Sequence, residues 1–462
     1  MNAKKRIKNI SAVLSPKSIA VVGASGEPSK IGHVILRNFL EGGFGGKIYA
    51  INPNAAEVLG QKCYKSILDV PGKIDSVVIA TPSKTVLGIV KECARKKVKG
   101  VVVISGGFAE IGNKAEEEEI ALVARKADIA LIGPNCMGVL NPSLRNDSVF
   151  LPMYKMSRPQ NGGISFISQS GAVGGCIVDL SARAGVGMAN FVSYGNAAAI
   201  DECDLLEYLG KDKRTEIIVI YLEGVRDGRR LMKVAGEITK KKPIIALKAG
   251  KSSLGAEAAK SHTGSLAGSY LAYKTAFLQS NIIEADNLEE LFEFTKIFSQ
   301  PRAVGKRIAI ITNGGGNGVL AADSIEEEGL KLAEFSENTK SVLRGFLPPY
   351  ANMRNPLDLI GDADNKRYEK ALSVLMEDDN VDALVVIVLF QTVAIDSGVV
   401  DVIVKNSQMQ KKPIIVVATG GEYAQMHRRI LDSYGVPTYP SPNSAIRALK
   451  KFLQYHSRVQ NK

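Results

Sequence analysis

Two residues of this sequence, His262 and Glu223, are of the types that carry phosphoryl-transfer chemistry. His262 stands in KSHTGSLAG, among small and hydroxyl residues that predict a loop. An imidazole at neutral pH is a nucleophile that can accept a phosphoryl group. Glu223 ends the apolar run IIVIYL, so we expect it at a strand end, where a carboxylate can orient one imidazole nitrogen. The alternatives are a structural histidine and a solvated strand-end acid.

A second set of residues is suited to holding an anion. Ser168, Gln169, Ser170 and Gly171 follow a predicted strand and precede a predicted helix. This arrangement places two hydroxyls and several free backbone N–H groups at the positive end of a helix dipole. Phosphate or carboxylate is the expected ligand, and a plain N-terminal helix cap is the alternative.

A glycine-rich segment near the start of the chain is suited to a nucleotide phosphate. Gly23, Gly26 and Lys30 lie between an apolar strand and the next helix, where glycines let backbone N–H groups approach a pyrophosphate. The spacing is not GxGxxG, and the second strand ends at Asn52 where a nicotinamide dinucleotide site needs an acid. Lys30 and Asn52 favour a nucleotide with additional phosphates, such as coenzyme A. A turn needed only for packing is the alternative.

Two further patterns predict no ligand. Gly250, Lys251 and Ser252 match the end of a P-loop, but Ile245 stands where that motif needs glycine. We therefore predict no nucleoside-triphosphate site in this chain. The acidic run at 116–119 is expected to be a solvated helix face.

Composition excludes several classes of protein. The chain has 462 residues, 45% hydrophobic and 23% charged, which is globular composition and predicts three domains at about 150 residues each. The longest apolar run, 383–390, is too short to span a membrane, so a cytoplasmic protein with no membrane partner is expected. The net charge of +12 is spread without a basic arm, which favours a phosphate-rich small molecule or an acidic protein over nucleic acid. Five scattered cysteines predict neither disulfides nor a metal site.

The segments around the candidate residues predict an α/β fold. Short β-branched runs that end in small residues alternate with helical-period segments, as in parallel βαβ units. Loops at the carboxyl ends of such strands line the ligand crevice. We expect strands at 19–22, 48–51, 76–80, 101–104, 129–132, 164–167, 191–193, 217–222, 244–248, 307–312, 383–390 and 414–418. The predicted domains are 1–150, 151–300 and 301–462.

The second and third series of strands look like copies of each other. SQSGAVG from Ser168 parallels TNGGGNG from Thr312, and KPIIAL from Lys242 parallels KPIIVV from Lys412. An internal duplication is the simplest interpretation. Polar chemistry present in only one copy is therefore harder to attribute to the fold alone.

Taken in order, the motifs resemble those of the ADP-forming acyl-CoA synthetases, in the superfamily that includes succinyl-CoA synthetase. The motifs are VVGASGEPSKIGH, IATPS, VVVISGGFAEIG, LIGPNCMGVLNP, GGISFISQSGAVG, IYLEG and KSHTGSLAG, across residues 18–268. NGGGNG and NPLDL resemble the third domain of that family. The resemblance implies a Rossmann-like CoA-binding domain followed by two flavodoxin-like parallel-sheet domains of the succinyl-CoA synthetase type.

The resemblance also implies a reaction and its residues. Acyl-CoA, ADP and phosphate would give a carboxylic acid, ATP and coenzyme A, reversibly, through an acyl phosphate and a phosphohistidine. His262 would be the phosphorylated histidine and Glu223 the acid that steadies it. The phosphate or the acyl group would be held by Ser168, Gln169, Ser170 and Gly171, helped by Gly195 and Asn196. Coenzyme A would be bound by Gly23, Ser25, Gly26, Lys30, Asn52, Pro53, Thr81, Pro82, Ser105, Gly106 and Asn135.

The resemblance further implies a partner. Family members need an ATP-grasp domain, and no segment of this sequence resembles one. We therefore expect an alpha subunit whose beta subunit holds ADP or ATP with Mg²⁺, in an α2β2 complex, and no metal on this chain. Small residues at 172–176 favour acetate or another short monocarboxylic acid over succinate.

Two other functions stay open at this point. A non-catalytic CoA-binding regulatory module would need none of the phosphoryl chemistry, so intact His262, Glu223 and the Ser168 loop argue against it. A nicotinamide-dependent dehydrogenase is disfavoured by the absence of GxGxxG and by Asn52.

Overall fold

The computed structural model of the chain describes residues 3–263 and 269–460. These form two units, one of Met1–Arg183 with Gly187–Asp286 and one of Ala184–Val186 with Asn287–Lys462. The first unit contains two sheets, and the second unit contains one sheet.

The first sheet has the strand order β3-β4-β2-β1-β5-β6-β7 and is parallel except for the β3–β4 pair. Its strands are β1 (Ser18–Val22), β2 (Lys47–Ile51), β3 (Glu57–Val58), β4 (Gln61–Tyr64), β5 (Ser76–Ile79), β6 (Gly100–Val103) and β7 (Ala130–Ile132). Because the chain leaves β1 toward β2 and then returns to β5 on the other side, the topological switch lies at the carboxyl end of β1. All five residues of β1 are buried, as expected for a parallel strand covered on both faces.

The second sheet has the order β14-β13-β12-β10-β11-β8-β9 and is parallel from β14 to β11. Its strands are β8 (Gly138–Asn141), β9 (Asn146–Asp147), β10 (Asn161–Ser168), β11 (Met188–Ser193), β12 (Ile217–Leu222), β13 (Ile244–Lys248) and β14 (Ile283–Ala285). β8 and β9 pair antiparallel and extend the sheet from its β11 side. The helices of this unit are α1 (Ala3–Lys8), α2 (Ile10–Leu14), α3 (Ile31–Glu41), α4 (Ser83–Arg95), α5 (Lys114–Lys126), α6 (Gly171–Arg183), α7 (Glu202–Lys211), α8 (Gly228–Ile238), α9 (Ser253–Thr263) and α10 (Tyr270–Gln279).

One apolar cluster continues from the first sheet into the second. Its fully buried side chains include Val21, Ile35, Ile132, Ile167 and Val192. A continuous dry core of this kind holds the two sheets in one arrangement, since opening it would expose apolar surface to water. The carboxyl edges of both sheets therefore belong to one body.

The second unit carries a fully parallel sheet of order β16-β15-β18-β19-β20, with β17 also pairing β15. Its elements are α11 (Leu288–Lys296), β15 (Arg307–Thr312), α12 (Gly315–Glu327), β16 (Lys331–Leu332), α13 (Glu337–Arg344), β17 (Leu357–Asp358), α14 (Asn365–Met376), β18 (Ala383–Ile387), α15 (Gly398–Gln408), β19 (Ile414–Val417), α16 (Glu422–Ser433), β20 (Thr438–Tyr439) and α17 (Pro442–Gln460).

The strand orders confirm the internal duplication. The order β14-β13-β12-β10-β11 of the second sheet repeats as β20-β19-β18-β15-β16 in the third. The repeat extends to side chains: Lys242 Nζ donates to the carbonyl oxygens of Leu209 and Asp212, and Lys412 Nζ donates to those of Leu375 and Asp378. Each lysine thus caps the C-terminus of the equivalent helix.

The predicted boundaries do not coincide with those of the sheets and units. β8 and β9 precede residue 150, yet they pair into the second sheet through Phe191–Leu140 and Val192–Val139. Residues 287–300 precede the predicted third domain but belong to the second unit, where α11 packs on α17. Both segments are placed by long-range pairing, which local composition does not reveal. The predicted strand 383–390 ends at Ile387, because residues 388–390 turn into the following loop.

We predict that Lys412→Met lowers the thermal unfolding midpoint. The substitution leaves the carbonyl oxygens of Leu375 and Asp378 without this donor, at a cost of about 1–3 kcal/mol or a fall of roughly 2–8 °C. Lys405→Met, at an exposed lysine on α15 that pairs with Glu369, should change the midpoint by less than about 1 °C. Circular dichroism melts measure both, and equal falls would contradict the assignment.

Candidate active site

The loop after β10 carries the predicted anion cradle and leads directly into a helix. Ser168 ends the strand fully buried, and its hydroxyl donates to the carbonyl oxygen of Ser170 at 2.6 Å. α6 begins at Gly171, and the Ser170 hydroxyl accepts from the Val173 N–H at 3.4 Å. The N-terminus of α6 thus follows a loop whose backbone is fixed by hydrogen bonds within the loop. The predicted anion site requires a fixed loop of this kind at the positive end of a helix dipole.

Gln169, predicted to bind phosphate, makes its contacts with a neighbouring strand end. Its side-chain oxygen accepts from the N–H groups of Glu223 at 2.8 Å and Gly224 at 3.0 Å. Its own N–H donates to the Tyr221 carbonyl oxygen at 3.2 Å. Gln169 therefore ties the loop after β10 to the loop after β12.

Glu223 is buried at the end of β12, and the backbone around it is held from three directions. Besides Gln169, the Lys248 ammonium donates to the Glu223 carbonyl oxygen at 2.9 Å. Two residues further along the chain, the Val225 N–H donates to the Tyr273 hydroxyl at 3.0 Å. Sequence reasoning missed Lys248 and Tyr273, since one ends an ordinary apolar strand and the other lies on a helix without a motif.

His262 lies in α9, where the sequence predicted a loop. The helix runs from Ser253 to Thr263, because Ala256, Glu257 and Ala258 are strong helix formers that precede the glycine at 264. The side chain of His262 and residues 264–268 lie outside the described part of the chain. The predicted pairing of His262 with Glu223 accordingly stays a prediction.

The predicted CoA-binding residues lie on the loops at the carboxyl edge of the first sheet. Gly23 (φ +90°) forms the turn after β1 and packs against the loop after β5. A Cβ on Gly23 would lie 2.6 Å from the Ala80 carbonyl oxygen. Gly32 allows α3 to pass the same turn, since a Cβ there would lie 1.9 Å from the Gly23 carbonyl oxygen. These glycines are required by close backbone approach at the topological switch.

The side chains around that turn are partly engaged in shaping it. Asn52 donates to the Ala24 carbonyl oxygen at 2.8 Å, and its own oxygen accepts from the Asn54 N–H. Ser25 Oγ accepts from the Glu27 N–H. Lys30 begins α3 as its N-cap with an exposed ammonium, 3.7 Å from a Glu27 carboxylate oxygen. Gly26 and Pro53 complete the same rim, with open space beside Gly26.

The remaining predicted CoA residues connect one strand end to the next. Ser105 donates to the Thr81 carbonyl oxygen at 2.5 Å, and the Asn135 N–H donates to the Ser105 carbonyl oxygen at 2.9 Å. Pro82 is the N-cap of α4. A Cβ at Gly106 would lie 3.3 Å from the Asn135 side-chain oxygen. The loops after β5, β6 and β7 therefore form one continuous wall.

Gly195 and Asn196 join this wall to the second sheet. Gly195 (φ +52°) packs so closely on the loop after β7 that a Cβ would lie 2.3 Å from the carbonyl oxygens of Pro134 and Asn135. The Asn196 N–H donates to the Pro134 carbonyl oxygen at 3.0 Å, and the Asn135 amide donates to Asn196 Oδ1 at 3.3 Å. The structure thus brings both residues to the predicted CoA wall.

The Asn196 side-chain amide donates to two carboxylates, Glu110 and Glu117, that the sequence did not indicate for this site. It donates to Glu110 at 2.5 Å and to Glu117 at 2.8 Å. Burial opposes ionisation of Glu110, but hydrogen bonds from Asn196 and from the Gly107 and Phe108 N–H groups hold its pKa below the ordinary value. The expectation that 116–119 is wholly solvated was wrong for Glu117, which is buried because it pairs with a loop far away in sequence.

Burial and negative charge dominate the electrostatics behind Glu223. Burial, with the charge of Asp201, raises the pKa of Glu202 to about 7. Burial and the charges of Glu202 and Glu223 raise the pKa of Tyr194 well above its ordinary value. Burial lowers the pKa of Lys248, and the charge of Glu223 opposes that shift. The charge of Lys251 adds to the lowering, so Glu223 is the neighbour that favours the charged form of Lys248.

The described residues contain neither a metal-binding cluster nor a helix that could cross a membrane. Within 3–263 and 269–460, no group of three or more His, Cys, Asp or Glu could hold a metal ion. Across the same residues, none of the helices combines the length and apolarity needed to cross a membrane. Cys136, beside Asn135, is buried, and burial raises the pKa of its thiol to about 12.

Three family models match successive parts of the chain. A "CoA binding domain" matches residues 17–142, a "Succinyl-CoA ligase like flavodoxin domain" matches 161–298, and a "Ligase-CoA domain" matches 308–449. Together with the anion cradle and the glycine-rich switch loop, they define a CoA ligase of the succinyl-CoA ligase type.

Individual relatives narrow this class. The acetate–CoA ligase (ADP-forming) II subunit alpha of Pyrococcus furiosus is 41% identical, over 96% of this chain and 97% of that protein. The acetate–CoA ligase (ADP-forming) I of Archaeoglobus fulgidus is 43% identical over 95% of this chain, which spans only 63% of that longer protein. A structure of the dinucleotide-forming acetyl-CoA synthetase 1 of Ca. Korarchaeum cryptofilum, in complex with phosphate and ADP, is 39% identical with a TM-score of 0.91, covering 98% of this chain and 97% of that one. The chain belongs to the family of ADP-forming acetate–CoA ligases.

We predict that Glu202→Gln stabilises the protein at high pH only. The folded state raises the pKa of Glu202 to about 7, so the native state binds the proton more tightly than the unfolded state. The protonated Glu202 therefore adds stability to the native state. This contribution is fully present below the pKa of the unfolded state, near 4.5, and is lost as pH rises through the folded-state pKa of about 7. Thermal melts should show the variant roughly 2 °C or more above wild type at pH 8 and unchanged at pH 4.5. Glu118→Gln, at an exposed position of α5, is the control. An equal gain at both pH values would contradict the prediction.

Proposed function

We propose that this chain is the alpha subunit of an ADP-forming acetate–CoA ligase, which converts acyl-CoA, ADP and phosphate reversibly into a carboxylic acid, ATP and coenzyme A. The observation that carries the proposal is that, within one unit, the loop after β11 contacts both predicted sites. Its Gly195 and Asn196 pack on the CoA-type loop wall, and its Tyr194 N–H donates to the Ser168 carbonyl oxygen of the predicted anion cradle at 2.9 Å. In this proposal the first sheet binds coenzyme A, the second sheet binds phosphate, and the third sheet is a copy without that chemistry.

The proposed reaction uses two transfers on this chain. Hydrogen phosphate, held at Ser168, Ser170 and Gly171, attacks the acyl carbonyl carbon. The C–S bond breaks, and the leaving thiolate of coenzyme A takes up the proton that the phosphate loses. An imidazole nitrogen of His262 then attacks the phosphorus of the acyl phosphate, and the P–O bond to the acyl group breaks to release the carboxylate. Glu223 orients the other imidazole nitrogen. ADP takes the phosphoryl group from His262.

The nucleotide site lies on the partner in this proposal. Relatives named as alpha subunits support a separate beta subunit, and we propose that it is an ATP-grasp protein that holds ADP or ATP with Mg²⁺ in an α2β2 complex. We propose acetate or another short monocarboxylic acid as the substrate. Among the small residues at 172–176, a Cβ on Gly174 would lie 2.8 Å from the Phe191 ring, and a Cβ on Gly175 would lie 3.0 Å from the end of the Met137 side chain. Ala172 and Cys176 are exposed, and we propose that these two residues set the size of the acid.

We predict that the purified chain becomes phosphorylated at His262 when it is incubated with acetyl-CoA and labelled phosphate without nucleotide. The label should be acid-labile and base-stable, as a phosphoramidate is, and it should be absent from His262→Ala. If the chain alone takes up no label, a beta subunit is added to the same assay.

Binding of coenzyme A serves as the control for folding of the variant. Coenzyme A should raise the unfolding midpoint of wild type and His262→Ala alike, since a ligand that binds only the native state stabilises it. Nicotinamide dinucleotide should not. CoA binding without any label, with the beta subunit present, would favour the regulatory module and contradict the proposal.

A further inference from the structure

The Lys248 ammonium occupies a site that is unusual for a lysine. It is 4% exposed, donates to the carbonyl oxygens of Glu223 and Ala249, and lies 4.7 Å from the centre of the Tyr273 ring. It thereby connects the strand ends of β12 and β13, and α9 follows β13 directly. The ammonium thus lies between the loop that carries Glu223 and the segment that leads to His262.

The third sheet shows that the fold does not require this lysine. From the strand pairing and the shared Lys-Pro motif, Glu223 corresponds to Leu389 and Lys248 to Ala418. The space near them is filled differently there, because His427, the counterpart of Tyr273, stacks on Phe390 with ring centroids 4.3 Å apart. In the third sheet the Gln391 amide donates to the Thr419 carbonyl oxygen, the counterpart of the Ala249 carbonyl oxygen that Lys248 reaches. A neutral amide therefore joins these strand ends in one copy, and a lysine ammonium joins them in the other.

Other polar contacts of the cradle occur in both copies. Thr312, the counterpart of Ser168, donates to the Gly314 carbonyl oxygen, just as Ser168 donates to that of Ser170. Asn313 accepts from the Leu389 N–H, as Gln169 accepts from that of Glu223. These contacts belong to the shared fold. Of the groups compared, Glu223, Lys248 and Tyr273 are those whose contacts differ between the two copies.

A buried ammonium is costly, so its presence needs a reason. Removing a charge from water is repaid only by good partners, and an apolar substitute of similar size is often at least as stable. Two carbonyl oxygens and an aromatic face satisfy the Lys248 donors in part. At the equivalent position of the third sheet Ala418 is fully buried, and its carbonyl oxygen accepts from the Arg428 guanidinium of α16. The strand end therefore packs without a lysine at this position.

We infer that Lys248 is a positioning residue for phosphoryl transfer: it fixes the backbone of Glu223, and through it the carboxylate that orients His262. The inference rests on the proposed function. It predicts that loss of Lys248 slows the transfer from acyl phosphate to histidine and spares the earlier transfer from acyl-CoA to phosphate, in which Glu223 has no part.

The test separates these two transfers in the full chain. Phosphorylation of His262 is followed with acetyl phosphate labelled in its phosphoryl group, and the earlier transfer is followed as arsenate-dependent release of coenzyme A from acetyl-CoA. Lys248→Met should slow histidine labelling by about 100-fold, the size expected for loss of an oriented acid–base partner, and change arsenolysis by less than about threefold. Lys248→Arg, which keeps the charge, should recover at least about a tenth of the wild-type labelling rate.

Lys242→Met is the matched control, since Lys242 is a half-buried lysine of the same sheet that also donates to two carbonyl oxygens. Below its unfolding transition it should label His262 at the wild-type rate. Lys248→Met combined with Glu223→Gln should be no slower than the slower single variant, because the two residues act as one unit.

Three results would overturn the inference. The first is a folded Lys248→Met variant that labels His262 at the wild-type rate. The second is a double variant in which the effects of Lys248→Met and Glu223→Gln on the labelling rate add. The third is a Lys248→Met variant that loses histidine labelling and arsenolysis equally. Failure of the wild-type chain to label, with His262→Ala identical to it, would instead overturn the proposed function together with this inference.

Discussion

The backbone hydrogen bonds between the loops after β7 and β11 are the interaction on which the site depends. Through Asn196 N–H to Pro134 and Ala198 N–H to Gly133, the carboxyl edges of two separate sheets are held side by side. Gly195 permits the approach, since any side chain there would collide with two carbonyl oxygens. These bonds hold the loop wall of the first sheet beside strand ends of the second sheet, which is the arrangement that the proposed transfer from a thioester to phosphate uses.

The repeated fold separates architecture from chemistry within one chain. The second and third sheets share their strand order, their helix-capping lysines and the hydroxyl and amide contacts of the first strand end. They differ where one copy has Glu223 and Lys248 and the other has Leu389 and Ala418. The shared contacts belong to the flavodoxin-like fold, whereas in the proposed function the differing pair distinguishes the copy that transfers phosphate.

The sequence predicted the parts of the structure that local pattern controls. All twelve expected strands exist, and Arg307–Thr312 matches to the residue, because buried parallel strands are continuous apolar runs. Glu117, Lys248 and Tyr273 could not be found in this way, since each matters only through a partner distant in sequence. The sequence did not predict that His262 lies in a helix. The small residues after His262 indicate a loop, and that signal was given more weight than the alanines before it, which favour a helix. β8 and β9 are short antiparallel strands without a strong alternating pattern.

The central claim is that only one copy of the repeated fold binds and transfers phosphate. Hydrogen–deuterium exchange on the full chain, with and without acetyl phosphate, tests this claim most directly because it reports both copies in one experiment. The account predicts slower exchange at residues 168–174 and 223–225, with no change at 312–318 and 389–391. Equal protection of both sets, or protection confined to the third sheet, would contradict it.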